Sequence, residues 1–153
     1  MKKIYFITIQ ITLMFLTCNA QKSNKNNLGE IKKEIEASNI KQFEAFAKRD
    51  SSLYISRYTS DCWIMAPNAP AFSGVDAASD FFRIAYEKIG IRSGKFITIA
   101  IFGSGEFVTE TGFWETFDAN NKSIANGKYI VIWKKTSEGW KRFRDCFNSD
   151  RGK

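Results

Sequence analysis

Histidine is absent from the chain. That excludes a Ser-His-Asp triad, a Cys-His nucleophile pair and the usual histidine-rich zinc site, so neither a metal nor a cofactor is expected. Cysteine is scarce, with three residues in 153. Cys18 lies near the start, leaving Cys62 and Cys146 for the body of the chain. An oxidising compartment would permit a bridge between them; their spacing alone is equally compatible with two buried free thiols. Acids are outnumbered, 16 to 23, for a net charge of +7. Of the two prolines, Pro67 must stop any strand running into it, and Asn68-Ala69-Pro70 reads as a turn.

The longest apolar run, Ile4 to Leu16, follows Lys2 and Lys3 and is too short to span a bilayer comfortably. With the mainly small residues Thr17-Cys18-Asn19-Ala20 behind it, this start reads as an export signal over residues 1–20. Two cleavages are open. One falls after Ala20; the other falls before Cys18 and would leave a lipidated cysteine, since Phe15-Leu16-Thr17-Cys18 resembles the bacterial lipoprotein signal. The product is periplasmic in the first case and attached to the outer membrane in the second, with Cys18 as the only route to a membrane. A polar, asparagine-rich tether follows over 21–28. Export makes nucleic acid a poor explanation for the basic charge, and no nucleic-acid partner is expected.

The remainder is long enough for one core. Glu30 to Lys48 has a helical stripe of Ile31, Ile35, Asn39, Gln42 and Phe46, interrupted by two amides that either face solvent or look into a cavity. Asp50 or Ser51 can cap a second helix holding Leu53, Tyr54 and Tyr58. Asp61 to Ala66 reads as a short strand. A third helix carries Val75, Ala78, Phe82, Ala85 and Ile89 to a stop at Gly90. Strands follow over Lys95 to Phe102 and Glu106 to Phe117. Gly103-Ser104-Gly105 between them is a hairpin turn, because no helix follows to cradle a phosphate.

Ser123 to Asp150 reads as a long antiparallel hairpin bounded by Gly127 and Gly139. Simple alternation on its second strand puts Phe143, Asp145 and Phe147 on one face and Trp140, Arg142, Arg144 and Cys146 on the other. A carboxylate between two phenylalanines must find a hydrogen-bond partner, stay protonated, or face a cavity holding water or ligand. Asp145 is therefore the leading candidate site residue.

Taken in order, Arg49-Asp50, Tyr58-Thr59-Ser60-Asp61, Ala66-Pro67-Asn68, Phe72-Ser73-Gly74, Gly127-Lys128-Tyr129, Trp133-Lys134-Lys135, Gly139-Trp140-Lys141 and Asp145-Cys146-Phe147-Asn148-Ser149-Asp150 resemble the SnoaL-like branch of the nuclear transport factor 2-like superfamily. The resemblance spans about Glu30 to Asp150. It implies an α+β fold, a cone in which a strongly curved antiparallel sheet wraps around three N-terminal helices, with one pocket domain over 29–150 and a short tail over 151–153. It also implies an apolar pocket at the wide end and a homodimer formed through the outer sheet face. The superfamily holds isomerases, dehydratases, cyclases and non-catalytic association domains, so the fold does not name a reaction. Matched to the ketosteroid isomerases, the general base falls on Ala66 and the oxyanion-hole tyrosine on Gln42. The partner acid falls on Val131 or Tyr129, and a supporting tyrosine near Phe82. Only Tyr58 is retained.

The same match places Cys62, Ile64, Ala66, Tyr129, Val131, Trp133, Phe143, Asp145 and Phe147 on the inner face, with Phe113 and Glu115 joining them. The expected pocket is apolar with a few convergent polar groups, Asp145, Tyr58, Tyr129, Gln42 and Glu115. Two functions follow. One is an exported dimeric protein that binds a small apolar or aromatic molecule, with Asp145, Tyr58 and Tyr129 available for acid/base isomerase, dehydratase or hydrolase chemistry. The other is an association module whose cone is filled by its own side chains.

Overall fold

The computed structural model describes residues 27–151. The export signal, Cys18 and most of the tether lie outside the described residues. Helix α1 spans residues 27–48, beginning within the stretch expected to be tether. Its stripe is Ile31, Ile35, Ser38, Asn39, Gln42 and Phe46, all buried, so the two amides do look inward. Exposed pairs such as Lys33 with Glu30 and Lys48 with Glu44 line its solvent face. The helix stops at Arg49, which takes a left-handed φ of 54°. Helix α2, Ser51–Ile55, starts from Asp50, whose carboxylate accepts a bond from the Leu53 N–H at 2.9 Å.

Tyr58 belongs to strand β1, Tyr58–Met65, rather than to the helix before it. Pro67 ends that strand region as expected. The two-residue strand β2, Phe72–Ser73, turns back against β1, and helix α3, Ala77–Ile84, follows. Ala78, Phe82 and Ala85 of the expected stripe are buried, whereas Val75 and Ile89 at its ends are exposed. A π-helical turn, Ala85–Ile89, closes α3, and Gly90 at φ 86° supplies the left-handed stop.

Four long strands complete the chain: β3, Ser93–Ser104; β4, Phe107–Phe117; β5, Ser123–Thr136; and β6, Gly139–Phe147. The six strands form one curved, open sheet in the order β2-β1-β6-β5-β4-β3. Expectation and structure agree on α+β, but the sheet is mixed. The final strand β6 lies between β5, to which it is antiparallel, and β1, to which it is parallel.

Two apolar clusters fill the concave side. One joins Ile31 and Ile35 of α1 to Val108, Tyr129, Val131, Trp133 and Trp140 of the sheet. The other joins Phe46, Tyr54 and Tyr58 to Cys62, Ile64, Phe82 and Ile91. Between their helical contributions, Ser38, Asn39 and Gln42 bring a polar layer across α1. The functional geometry begins there.

Candidate functional site: a polar floor beneath an aromatic pocket

An irregularity in β6 builds the floor. Ile132 pairs with Arg144 but Trp133 pairs with Arg142, so Phe143 is an extra residue against β5. The register to β1 also breaks between Arg142 and Arg144. Such a bulge reverses the side-chain phase on one side of itself. Arg142 and Trp140, expected on the outer face, therefore turn inward and are buried. Phe143, expected in the pocket, turns outward, where its ring meets Phe107 at 5.6 Å and lies under the Arg144 guanidinium at 3.6 Å.

Strand β4 corrects a second expectation. Val108, Glu110, Gly112 and Thr116 form its inner set, while Phe113 is exposed and Glu115 pairs with Lys95 on the outside at 3.0 Å. Gly112 sits opposite Tyr129, and a Cβ there would come within 2.7 Å of the Tyr129 hydroxyl. The glycine is what admits that ring. Phe113 and Glu115 are thus outside the cavity, and Glu110, absent from the expected site, is at its base.

Asn39, Gln42, Glu110, Arg142 and Asp145, with the buried tyrosines, form one connected network. Tyr58 donates to Asp145 Oδ2 at 2.9 Å, and Arg142 donates to the same oxygen at 3.1 Å. Arg142 also donates to Asn39 Oδ1 at 2.6 Å, which orients the amide so that Asn39 Nδ2 donates to Glu110 at 2.8 Å. Glu110 further accepts from Thr98 at 2.6 Å, Tyr129 at 2.7 Å and Trp133 Nε1 at 2.9 Å. On the other side, Gln42 Nε2 donates to the Tyr58 hydroxyl at 3.2 Å, and the Tyr54 and Tyr58 hydroxyls are 3.0 Å apart. The guanidinium of Arg142 is also held between aromatic rings, 4.6 Å from Phe96 and 4.9 Å from Trp133.

Charge states follow from these neighbours. Burial by itself would lower the Arg142 pKa, but Asp145, then Tyr58 and Glu110, outweigh it and leave it raised, so the guanidinium stays charged. Burial, reinforced by the Asp145 carboxylate, pushes the Tyr58 phenol well above its ordinary value. Burial does the same to Tyr54 and, together with Glu110, to Tyr129. These hydroxyls remain donors at neutral pH. The Cys62 thiol is pushed up to about 11 by burial and then by Asp145, which leaves it an inert thiol.

Above the floor lies a cavity of about 440 Å³. Asp145, Tyr58, Tyr54, Tyr129 and Gln42 supply its polar groups; Phe43, Phe46, Phe72, Phe81, Phe96, Trp114 and Phe147 supply most of its aromatic wall. The exposed residues Asn68, Ala69, Ile89 and Arg151 form the rim. Of the expected site residues, Gln42, Tyr58, Ala66, Tyr129, Asp145 and Phe147 line the cavity. Cys62, Ile64, Phe82, Val131 and Trp133 are buried on the expected side, but they pack behind the wall rather than form it. Among the described residues no hydrogen bond reaches Asp145 Oδ1. The site thus offers one carboxylate oxygen to whatever enters, and no group of three or more metal-ligating side chains occurs among the described residues.

A helix-backed curved sheet with a pocket on its concave side can now be compared with known proteins. No protein-family model and no curated protein matches the chain. Solved structures do. A ketosteroid isomerase-like protein from Erwinia carotovora atroseptica SCRI1043 superposes with a TM-score of 0.63 at 22% identity, over 77% of this chain and 95% of that one. The fold is nuclear transport factor 2-like. A nuclear transport factor 2-like protein of unknown function from Shewanella oneidensis MR-1 gives a TM-score of 0.63 at 18% identity, over 76% of this chain and 97% of that one. A putative calcium/calmodulin-dependent protein kinase type II association domain from Thiobacillus denitrificans gives 0.63 at 13% identity, over 76% and 94%. Nuclear transport factor 2-like neighbours thus include proteins named for catalysis and for assembly, and the side chains must decide between these uses.

Proposed function

We propose that this chain is an exported, SnoaL-like pocket protein that acts as a homodimer and binds a small, largely apolar or aromatic molecule anchored by Asp145. One observation carries the reading: a cavity of about 440 Å³, walled by aromatic rings, ends on a carboxylate oxygen that no hydrogen bond among the described residues reaches. That volume corresponds to about fifteen waters and lies in the range of small-molecule sites. It supports a pocket over a cone filled by its own side chains.

Two further features support parts of the proposal. The convex sheet face exposes Trp63, Ile97, Ile99, Phe113 and Ile130, an apolar surface suited to a second copy of the chain. Trp140 and Arg142 do not belong to that interface, because the bulge turns them inward. Asp145 receives two donors on one oxygen and keeps the other free, an arrangement suited to accepting a proton from a bound substrate. Catalysis in this proposal is base catalysis by Asp145, with Tyr58 positioning the carboxylate. Export rests on the leader alone, and Cys18 remains the only route to lipid attachment.

Native mass spectrometry of the full-length gene product, purified from a cell extract, tests the reading. A dimer carrying a small adduct that is lost on denaturation is the expected result. A monomer would remove the sheet-face interface, and an Ile130→Glu variant that stayed dimeric would do the same.

A further inference from the structure

We propose that the molecule bound in the pocket is an amine, held with its cationic nitrogen against Asp145. This inference rests on the pocket reading and narrows it to a ligand class.

The first argument is a charge count. Three charged side chains are buried among the described residues: Glu110, Arg142 and Asp145. Glu110 accepts four hydrogen bonds and donates none, which is the pattern of an ionised carboxylate. Arg142 is one cation set between two anions, bonded directly to Asp145 and through Asn39 to Glu110. The layer therefore carries one uncompensated negative charge, in an interior that screens it poorly. A bound cation completes the balance.

The second argument is which charge the cavity meets. Two charged side chains line the cavity, Asp145 at its floor and the exposed Arg151 at its rim, whereas Arg142 is fully buried and does not. The guanidinium stands behind the acid, closed off by Phe96 and Trp133. A ligand carboxylate or phosphate reaching the floor would meet the free Asp145 oxygen without reaching the arginine. An ammonium would find a charge-assisted acceptor in the same place.

The third argument is the wall. Phe43, Phe46, Phe72, Phe81 and Trp114 surround the approach, and aromatic faces attract cations as well as apolar bodies. The cavity is far larger than an ammonium ion needs, so the remainder of the ligand is an apolar or aromatic body that fills it.

Isothermal titration of the full chain with three matched probes tests the inference: 2-naphthylmethylamine, 2-naphthylmethanol and 2-naphthoate. The amine is expected to bind at least about tenfold more tightly than the alcohol, and the carboxylate more weakly than both. In Asp145→Asn the amine should lose that advantage while the alcohol keeps its affinity. If that variant does not fold, the three probes on the unaltered protein still decide. Equal binding of amine and alcohol, or tighter binding of the carboxylate, overturns the amine assignment and leaves the pocket reading standing. Binding of none of them at millimolar concentration overturns both.

Discussion

Glu110 and Asp145 are carboxylates of the same buried layer, linked through Asn39 and Arg142, yet the protein treats them differently. Glu110 meets four donors from α1, β3, β4's neighbour β5 and their aromatic residues, and it is fully buried. Asp145 meets two donors on one oxygen and turns the other toward a cavity. The difference teaches that burial alone does not mark a functional acid. Acceptor capacity left over after folding does, because only that capacity is available to a ligand.

The largest expected effect tests the structural half of this contrast. Glu110→Ala strands Asn39, Thr98, Tyr129 and Trp133 as donors and removes one anion facing Arg142, so urea denaturation should show a loss on the order of 3–5 kcal/mol. Arg142→Met should cost about 3 kcal/mol, since it leaves two buried carboxylates without their shared cation while retaining most of the packing volume. Asp145→Asn should cost only about 1–2 kcal/mol, because an amide still accepts from Tyr58 and Arg142; its main consequence should be loss of the amine's binding advantage in the pocket. If Asp145→Asn destabilised the fold as much as Glu110→Ala, the distinction between the two acids would collapse.

Cys62 sharpens the comparison through pH. Its thiol stays protonated to about 11 in the fold, against an ordinary 9.0 in the open chain, so between these values the folded state holds more protons than the unfolded one. That contribution is fully present below pH 9.0, falls as pH rises, and is lost through about pH 11. Denaturation midpoints followed across this window should decline less steeply in Cys62→Ala than in the unaltered chain. The smallest effect is chemical rather than energetic. Cys62 and Cys146 are free, and Cys62 is buried, so a maleimide should leave Cys62 unlabelled in the folded protein and label it only after unfolding, as peptide mapping would show.

Much of the fold was legible because its signals are local. The α1 stripe, the stop at Pro67, the glycine that ends α3 and the β5–β6 hairpin each follow from a few neighbouring residues. The inner face of β5, with Tyr129, Val131 and Trp133, followed instead from the resemblance to the nuclear transport factor 2-like superfamily. The site was less legible because face assignment is carried along a strand, and one irregularity reverses everything beyond it. Phe143 as a bulge residue has no distinguishing side chain, so alternation carried Arg142 to the wrong side. On β4, polar and apolar residues alternate in neither phase clearly, so nothing local corrected the family match that put Phe113 and Glu115 inside and left out Glu110. Gly112 was the available clue: a glycine within a strand marks a close approach, here by Tyr129. The parallel pairing of β1 with β6 joins segments distant in sequence and left no local trace.

Arg142 and Asp145 are separated by an odd number of positions, and in an uninterrupted strand they would face opposite sides of the sheet. Their ion pair exists because the chain is one residue longer there than its neighbours require. The polar floor is thus encoded partly by length and not only by residue type. Loss of a single codon at Phe143 would leave Arg142 and Asp145 two positions apart, a spacing that a regular strand already places on one face, so the pair would survive without the bulge. Among proteins of this shape, a relative with the same two charges two positions apart on an unbulged strand would carry the same floor, and an alignment that forced this strand to be gapless would hide the correspondence.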